Sequence, residues 1–181
     1  MAKDTFFLRA QVVTDDANED REVAEIDLGA FVNLGTTKPQ VLRIHSINMQ
    51  ICDSKGLPPT VDASGAVGDM RSAFLAAAIT TKATDLAIDS VPQLNDDETI
   101  FTSSVIVVNG KNSADNGFST SSLDIAPQAL VNGVLVGVDT LYCYALSDNA
   151  FAEDVNVNFM LECSTEAITK ESAIGLALSQ S

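Results

Sequence analysis

The sequence predicts an all-β fold, an antiparallel β-sandwich of jelly-roll type with eight or so strands, long loops and short terminal arms. Three observations carry this expectation. In several short runs the apolar residues fall on alternate positions, most regularly in Val155-Asn-Val-Asn-Phe-Met-Leu-Glu-Cys163; period two marks a strand with one buried face. Turn-forming clusters separate most of these runs, and no long helices alternate with them, which is the pattern of a sandwich or barrel. Several connections are long, as they must be where strands cross between sheets. No repeat at a fixed period suggests a propeller or solenoid.

Taken in order, Phe6 to Val13 alternates and gives a first strand, followed by the acidic turn Asp15 to Asp20. Ala24, Ile26, Leu28, Ala30 and Val32 share one parity, with Glu25 and Asp27 on the other, until Gly35 to Pro39 breaks the run. Val41 to Cys52 changes phase: Leu42 and Ile44 agree with each other, whereas Ile47, Met49 and Ile51 have the opposite parity. A strand that swaps faces carries a bulge or bend, here near His45-Ser46. Residues 53–72 read as a long loop, and long loops in compact domains usually serve contact or binding. Ala73 to Thr81 fits either a buried strand or a short helix; its alanines favour helix, while Phe74, Ile79 and its length favour strand.

Leu86 to Val91 reads as a weak strand and Asn95 to Glu98 as an acidic turn. Ile100 to Val108 is a strand ending at Asn109-Gly110, a chain-reversal signal. Asn109 to Ser122 is small and polar around Phe118 and reads as a long exposed loop. Val134 to Val138 is strand-like, although Pro127, Gly133 and Gly137 blur the ends of its segment. Thr140 to Ser147 is apolar on both faces, as in a strand covered on both sides or one that meets a neighbouring subunit. If 140–147 and 155–163 pair as a hairpin, a loop centred on Ala150-Phe151 sets Tyr144 against Val157 and Tyr142 against Phe159. A one-residue slip turns both tyrosines outward. After Cys163, Ser164 to Ser181 forms a short helix, with Ile174 and Leu178 four apart, or an extended tail.

The chain has 181 residues, is 46% hydrophobic and 19% charged. That suits one domain, residues 1–181, which buries roughly 70% of its unfolded surface, with 1–5 and 164–181 as terminal arms. Against 25 acidic residues stand 10 Lys and Arg, a net charge of −15. Such a surface repels phosphate backbones and has no basic arm to offset this, so direct nucleic-acid binding is not expected. No apolar run reaches the roughly 18 residues of a membrane span. Met1 to Leu8 lacks the apolar region of a secretory signal. Cys52, Cys143 and Cys163 have no metal or redox spacing and read as small buried hydrophobes.

No catalytic set emerges. His45 is the one histidine, it lies in a strand pattern, and no GxSxG elbow accompanies it. Acidic residues cluster in turns instead of on strand faces, and there is no Trp to serve as a sugar platform. Cofactor signatures are missing, so catalytic, cofactor and metal residues are each expected to be none. The nearest approach to a calcium loop is Asp16, Asn18 and Asp20; it fails at its sixth position, Arg21, and its twelfth, Asp27, and reads as a solvated turn. Asp148, Glu153 and Asp154 could hold a divalent ion at a subunit contact, and otherwise form a solvated loop.

In its layout, with eight-odd strands, long loops and arms at Met1 to Thr5 and Ser164 to Ser181, the chain resembles the single jelly-roll major capsid proteins of icosahedral viruses. That resemblance implies a structural protein of the virion, not an enzyme. It would self-assemble into a shell through sandwich flanks, loops and arms, with other virion proteins as further partners. It departs from those capsid proteins that package genomes with a basic arm. A tail-tube, filament or pilus-like subunit shares the same β-rich, chemistry-free profile. A carbohydrate-binding jelly roll, with its site in the 53–72 and 109–122 loops, is the alternative from another class.

Overall fold

The computed structural model describes residues 4–15, 19–62, 72–109, 118–123, 128–148 and 150–180. Among them run nine strands and a helix: β1 Phe6–Thr14, β2 Glu22–Asp27, β3 Gln40–Cys52, β4 Ser72–Thr80, β5 Thr99–Asn109, β6 Phe118–Leu123, β7 Gln128–Val136, β8 Thr140–Ser147, β9 Val155–Ala167 and α1 Lys170–Ser179. They build a four-stranded sheet in the order β1-β9-β3-β7 and a five-stranded sheet in the order β2-β8-β4-β5-β6. Every pairing is antiparallel, and the first strand pairs with the last and the second with the eighth. This nested wrapping is a jelly roll, with β6 added beside β5.

The alternation read from the sequence builds the core. Val155, Val157, Phe159, Leu161 and Cys163 point inward from β9 and are fully buried. Phe159 meets Phe101 of β5 edge to face, with ring centroids 6.1 Å apart, so one aromatic pair links the two sheets at mid-strand. On β4 the inward residues are Ala73, Leu75, Ala77 and Ile79, while Ala76 and Ala78 are buried on the opposite face. Of residues 73–81, 73–80 are therefore strand: pairing with β5 and β8 on either side overrides the helical preference of alanine.

The phase change in β3 is a bulge. Ile44 pairs with Cys163 and Ser46 with Glu162, so His45 is one extra residue against β9. Leu42 and Ile44 before it, and Ile47 and Met49 after it, all reach the core.

Some expectations change. Residues 140–147 and 155–163 do not pair: β8 lies between β2 and β4, and β9 between β1 and β3. Neither hairpin register applies, because the connection crosses from one sheet to the other. Asp148 starts that crossing, its carboxylate accepting the backbone N–H groups of Phe74 and Ala150, and Phe151 bridges to Val61. Both tyrosines instead face outward from the five-stranded sheet and stack on each other. The run 24–32 leaves the strand at Asp27, whose side chain accepts the N–H of Gly29 and opens a turn, yet Leu28 and Val32 remain buried. Leu86 to Val91 is irregular, not a strand. The stretch 109–122, expected as a loop, yields β6 from Phe118 onward; residues 110–117 lie outside the described residues, as do 63–71. At the C-terminus β9 runs on to Ala167 because β3 extends to Gln40 opposite it. The arm expected from Ser164 thus begins four residues later, at Ile168, and becomes α1, capped by the Thr169 side chain accepting the N–H of Ser172.

Candidate assembly surfaces

His45 Nε2 lies 2.8 Å from Ser164 Oγ on the outer side of the bulge. The pair has the separation of a base and a nucleophile, but Ser164 is only 1% exposed and its hydroxyl is taken up by this histidine. The neighbouring carboxylate, Glu162, takes the Ser46 hydroxyl instead. The pair thus pins the bulge. All three cysteines are buried free thiols. Burial pushes the Cys143 thiol up to about 12, and burial together with the charge of Glu162 does the same for Cys163.

The sequence-derived ion candidates do not converge. Asp20 is exposed, and Asp16 and Asn18 lie outside the described residues. Asp148 spends its carboxylate on backbone N–H groups, and Glu153 accepts the Ser54 hydroxyl. Among the described residues no group of three His, Cys, Asp or Glu side chains gathers as a metal site.

The outer face of the four-stranded sheet is amide-rich. Gln11, Asn158 and Gln50 stand directly opposite one another across β1, β9 and β3. Arg9, Met160 and Asn48 form the next row, and a shallow depression runs between these side chains.

On the five-stranded sheet the outer face is largely covered by the chain itself. The β4–β5 connection crosses it as a strap. Arg21 holds the strap by donating to the backbone carbonyls of Leu86, Ala87 and Ser90, while its guanidinium lies 5.2 Å from the centroid of the Tyr144 ring. The Tyr144 hydroxyl accepts the N–H of Thr84. The outward apolar side of β8 is therefore met by this chain's own loop over Tyr144. Further along, Phe74 and Ile106 are cross-strand partners and remain partly exposed.

β1 and β7 are the edge strands of the four-stranded sheet, and the β7 edge is guarded at two points. Opposite the β3 bulge β7 makes an excursion, since Ile44 pairs with Val134 but Ser46 with Ala129. Asn132 and Gly133 at its turn both have positive φ, the conformation Asn-Gly favours. A Cβ on Gly133 would sit 2.7 Å from the Ile44 carbonyl oxygen, so glycine is required there twice over. Arg43 holds the turn by donating to the Asn132 carbonyl and ion-pairing with Glu166 at 2.6 Å. Val131 is left 90% exposed. Next along the edge, the side-chain amide of Gln180 donates to the Leu135 carbonyl and accepts the Gly137 N–H, both at 2.8 Å. One side chain thus fills the hydrogen-bonding places of a neighbouring strand. Leu176 packs on Gly137, which leaves Ile174 and Leu178 of α1 63% and 75% exposed.

Sequence reasoning missed Arg21, Gln180 and the 132–133 turn. Only the last had a local signal, its Asn-Gly dipeptide; the other two act across distances of 40 residues or more in the chain.

No family model matches the chain, and no curated protein sequence matches it. Solved structures do. The VP1 protein of Merkel cell polyomavirus, in complex with disialyllactose, aligns with a TM-score of 0.50 at 11% identity, covering 93% of this chain and 97% of that one. VP1 of trichodysplasia spinulosa-associated polyomavirus, in complex with GM1 oligosaccharide, gives 0.47 at 10% identity, with 91% and 96% covered. VP1 of human polyomavirus 12, in complex with 3'-sialyllactosamine, gives 0.45 at 11%, with 92% and 100% covered. What this chain shares with VP1 of Merkel cell polyomavirus is the fold, a jelly roll followed over nearly its whole length.

Proposed function

We propose that the chain is a structural subunit of a viral capsid, one β-sandwich domain that self-assembles into a shell and resides in the virion. The observation that carries this reading is the distribution of apolar surface. With a full core already formed, Phe7, Phe74, Ile106, Val131, Ile174 and Leu178 still face outward from both sheets, the β7 edge and α1. Apolar side chains spread over several sides suit a subunit with several neighbours. The jelly-roll fold shared with a polyomavirus capsid protein supports the same reading. The His45–Ser164 pair, closed to substrate, turns it away from hydrolysis. Electron microscopy of the purified protein, across salt and calcium, tests it. Closed shells of uniform diameter are expected; a monodisperse monomer at high concentration in every condition would overturn it.

A further inference from the structure

We infer that the outer face of the four-stranded sheet is a self-complementary, two-fold docking face for a second copy of this chain; this rests on the assembly reading above and names one of its contacts. The first support is charge. The molecule carries −15, yet the charged residues of β1, β9, β3 and β7 are Arg9 and Arg43 against Glu162 and Glu166, two of each sign. This sheet is neutral, and the repulsion between copies originates elsewhere.

Two of those four charges are not paired with each other or with any other charge among the described residues. Arg43 and Glu166 neutralise each other within the chain. Arg9 instead lies over the Phe7 ring, 5.8 Å from its centroid, and Glu162 takes only the hydroxyl of Ser46. They sit on adjacent strands, in neighbouring rows of the same face. A two-fold axis in the plane of the face, running between them, sets Arg9 of each copy against Glu162 of the other. An isologous contact needs this reciprocity.

The amides add a second complementarity. Gln11, Asn48 and Gln50 have no side-chain hydrogen bond among the described residues. Each amide both donates and accepts, so like can pair with like across the axis. Area is sufficient. Four strands about 4.8 Å apart and about 30 Å long present on the order of 600 Å², so two copies would bury about 1,200 Å², the lower bound for a specific interface. An interface of that size is reversible, as a subunit needs if misplaced contacts are to dissolve.

The test is a charge exchange read by sedimentation velocity on the full chain. Arg9→Glu and Glu162→Arg should each weaken self-association about tenfold or more by setting like charges together. The double variant Arg9→Glu/Glu162→Arg should recover it to within about threefold, and thermal melting checks that all three fold as the parent does. Single variants that associate like the parent would overturn the docking face and leave the assembly reading standing. A double variant that stays dissociated would overturn the two-fold pairing. A parent protein that is monomeric at every concentration would overturn both.

Discussion

Deleting His45 should do less harm than deleting a residue three positions away. Against β9, His45 is the one residue of β3 without a partner, flanked by the pairs Ile44–Cys163 and Ser46–Glu162. Without it those two pairs become consecutive, and Leu42, Ile44, Ile47, Met49 and Ile51 fall on a single parity, all inward. The loss is the contact to Ser164, about 1 kcal/mol. Deleting Asn48 has no such remedy. Its least costly rearrangement flattens the bulge, which turns Ile47, 1% exposed in the native fold, out to solvent and places Ser46 in the core. Removing an isoleucine from a core costs roughly 2–5 kcal/mol, and a buried hydroxyl without a partner adds about 1–3 kcal/mol.

The two deletions should therefore differ by at least about 2 kcal/mol, or on the order of 5 °C or more in Tm for a chain of this size. Urea titration followed by circular dichroism, with His45→Ala to isolate the lost hydrogen bond, measures the gap. Equal destabilisation by the two deletions would refute the bulge as the device that corrects the register of β3.

Three further outcomes follow from the same geometry. Gln180→Ala leaves the Leu135 carbonyl and the Gly137 N–H without their partner, so hydrogen exchange at Gly137 should quicken while β9 amides keep their protection. Stability should fall as pH rises from about 9 to about 12: the Cys143 and Cys163 thiols ionise in the unfolded chain from 9 but stay neutral in the fold until about 12. The slope is about 1.4 kcal/mol per pH unit for each thiol, and pH-dependent denaturation of a Cys143→Ala/Cys163→Ala variant should lack it. Phe101→Leu and Phe159→Leu should couple in a double-mutant cycle by about 0.5–1.5 kcal/mol, the value of an edge-to-face pair; additive losses would count against that contact.

What was legible in the sequence was what alternation and short-range chemistry encode. The inward parity of β9, the phase change at His45 and the acidic turn at 95–98 each appear where residue pattern alone places them. Pairing was not legible. Two strand patterns on either side of the short acidic loop at 148–154 invite a hairpin, and nothing local says that Asp148 will cap Phe74 and send the chain to the other sheet. In a jelly roll most sequence neighbours are not spatial neighbours, so an inference from adjacency fails where an inference from parity succeeds. The surfaces suffered for the same reason. Gln180 is an unremarkable polar residue until β7 is found beside it, and Arg21 reads as the failed sixth position of a calcium loop until the strap it holds is seen.

The dependence of assembly on salt separates the two electrostatic contributions that any contact of this chain combines. Two copies of charge −15 with centres about 30 Å apart repel by roughly 30 kcal/mol in unscreened water. Screening reduces that to about 10 kcal/mol at 10 mM salt and about 1–2 kcal/mol at 0.1 M, where the Debye length is about 10 Å. The Arg9–Glu162 pairs of a two-fold contact contribute at most about 1 kcal/mol each at a surface, far below the repulsion at 10 mM. Overall charge therefore governs the sign, and self-association should strengthen as salt rises from 10 to about 100 mM. Light scattering at fixed protein concentration reads this directly. Association that weakens over that range would mean that attraction between local opposite charges outweighs −15 against −15. A neutral docking face does not predict that result.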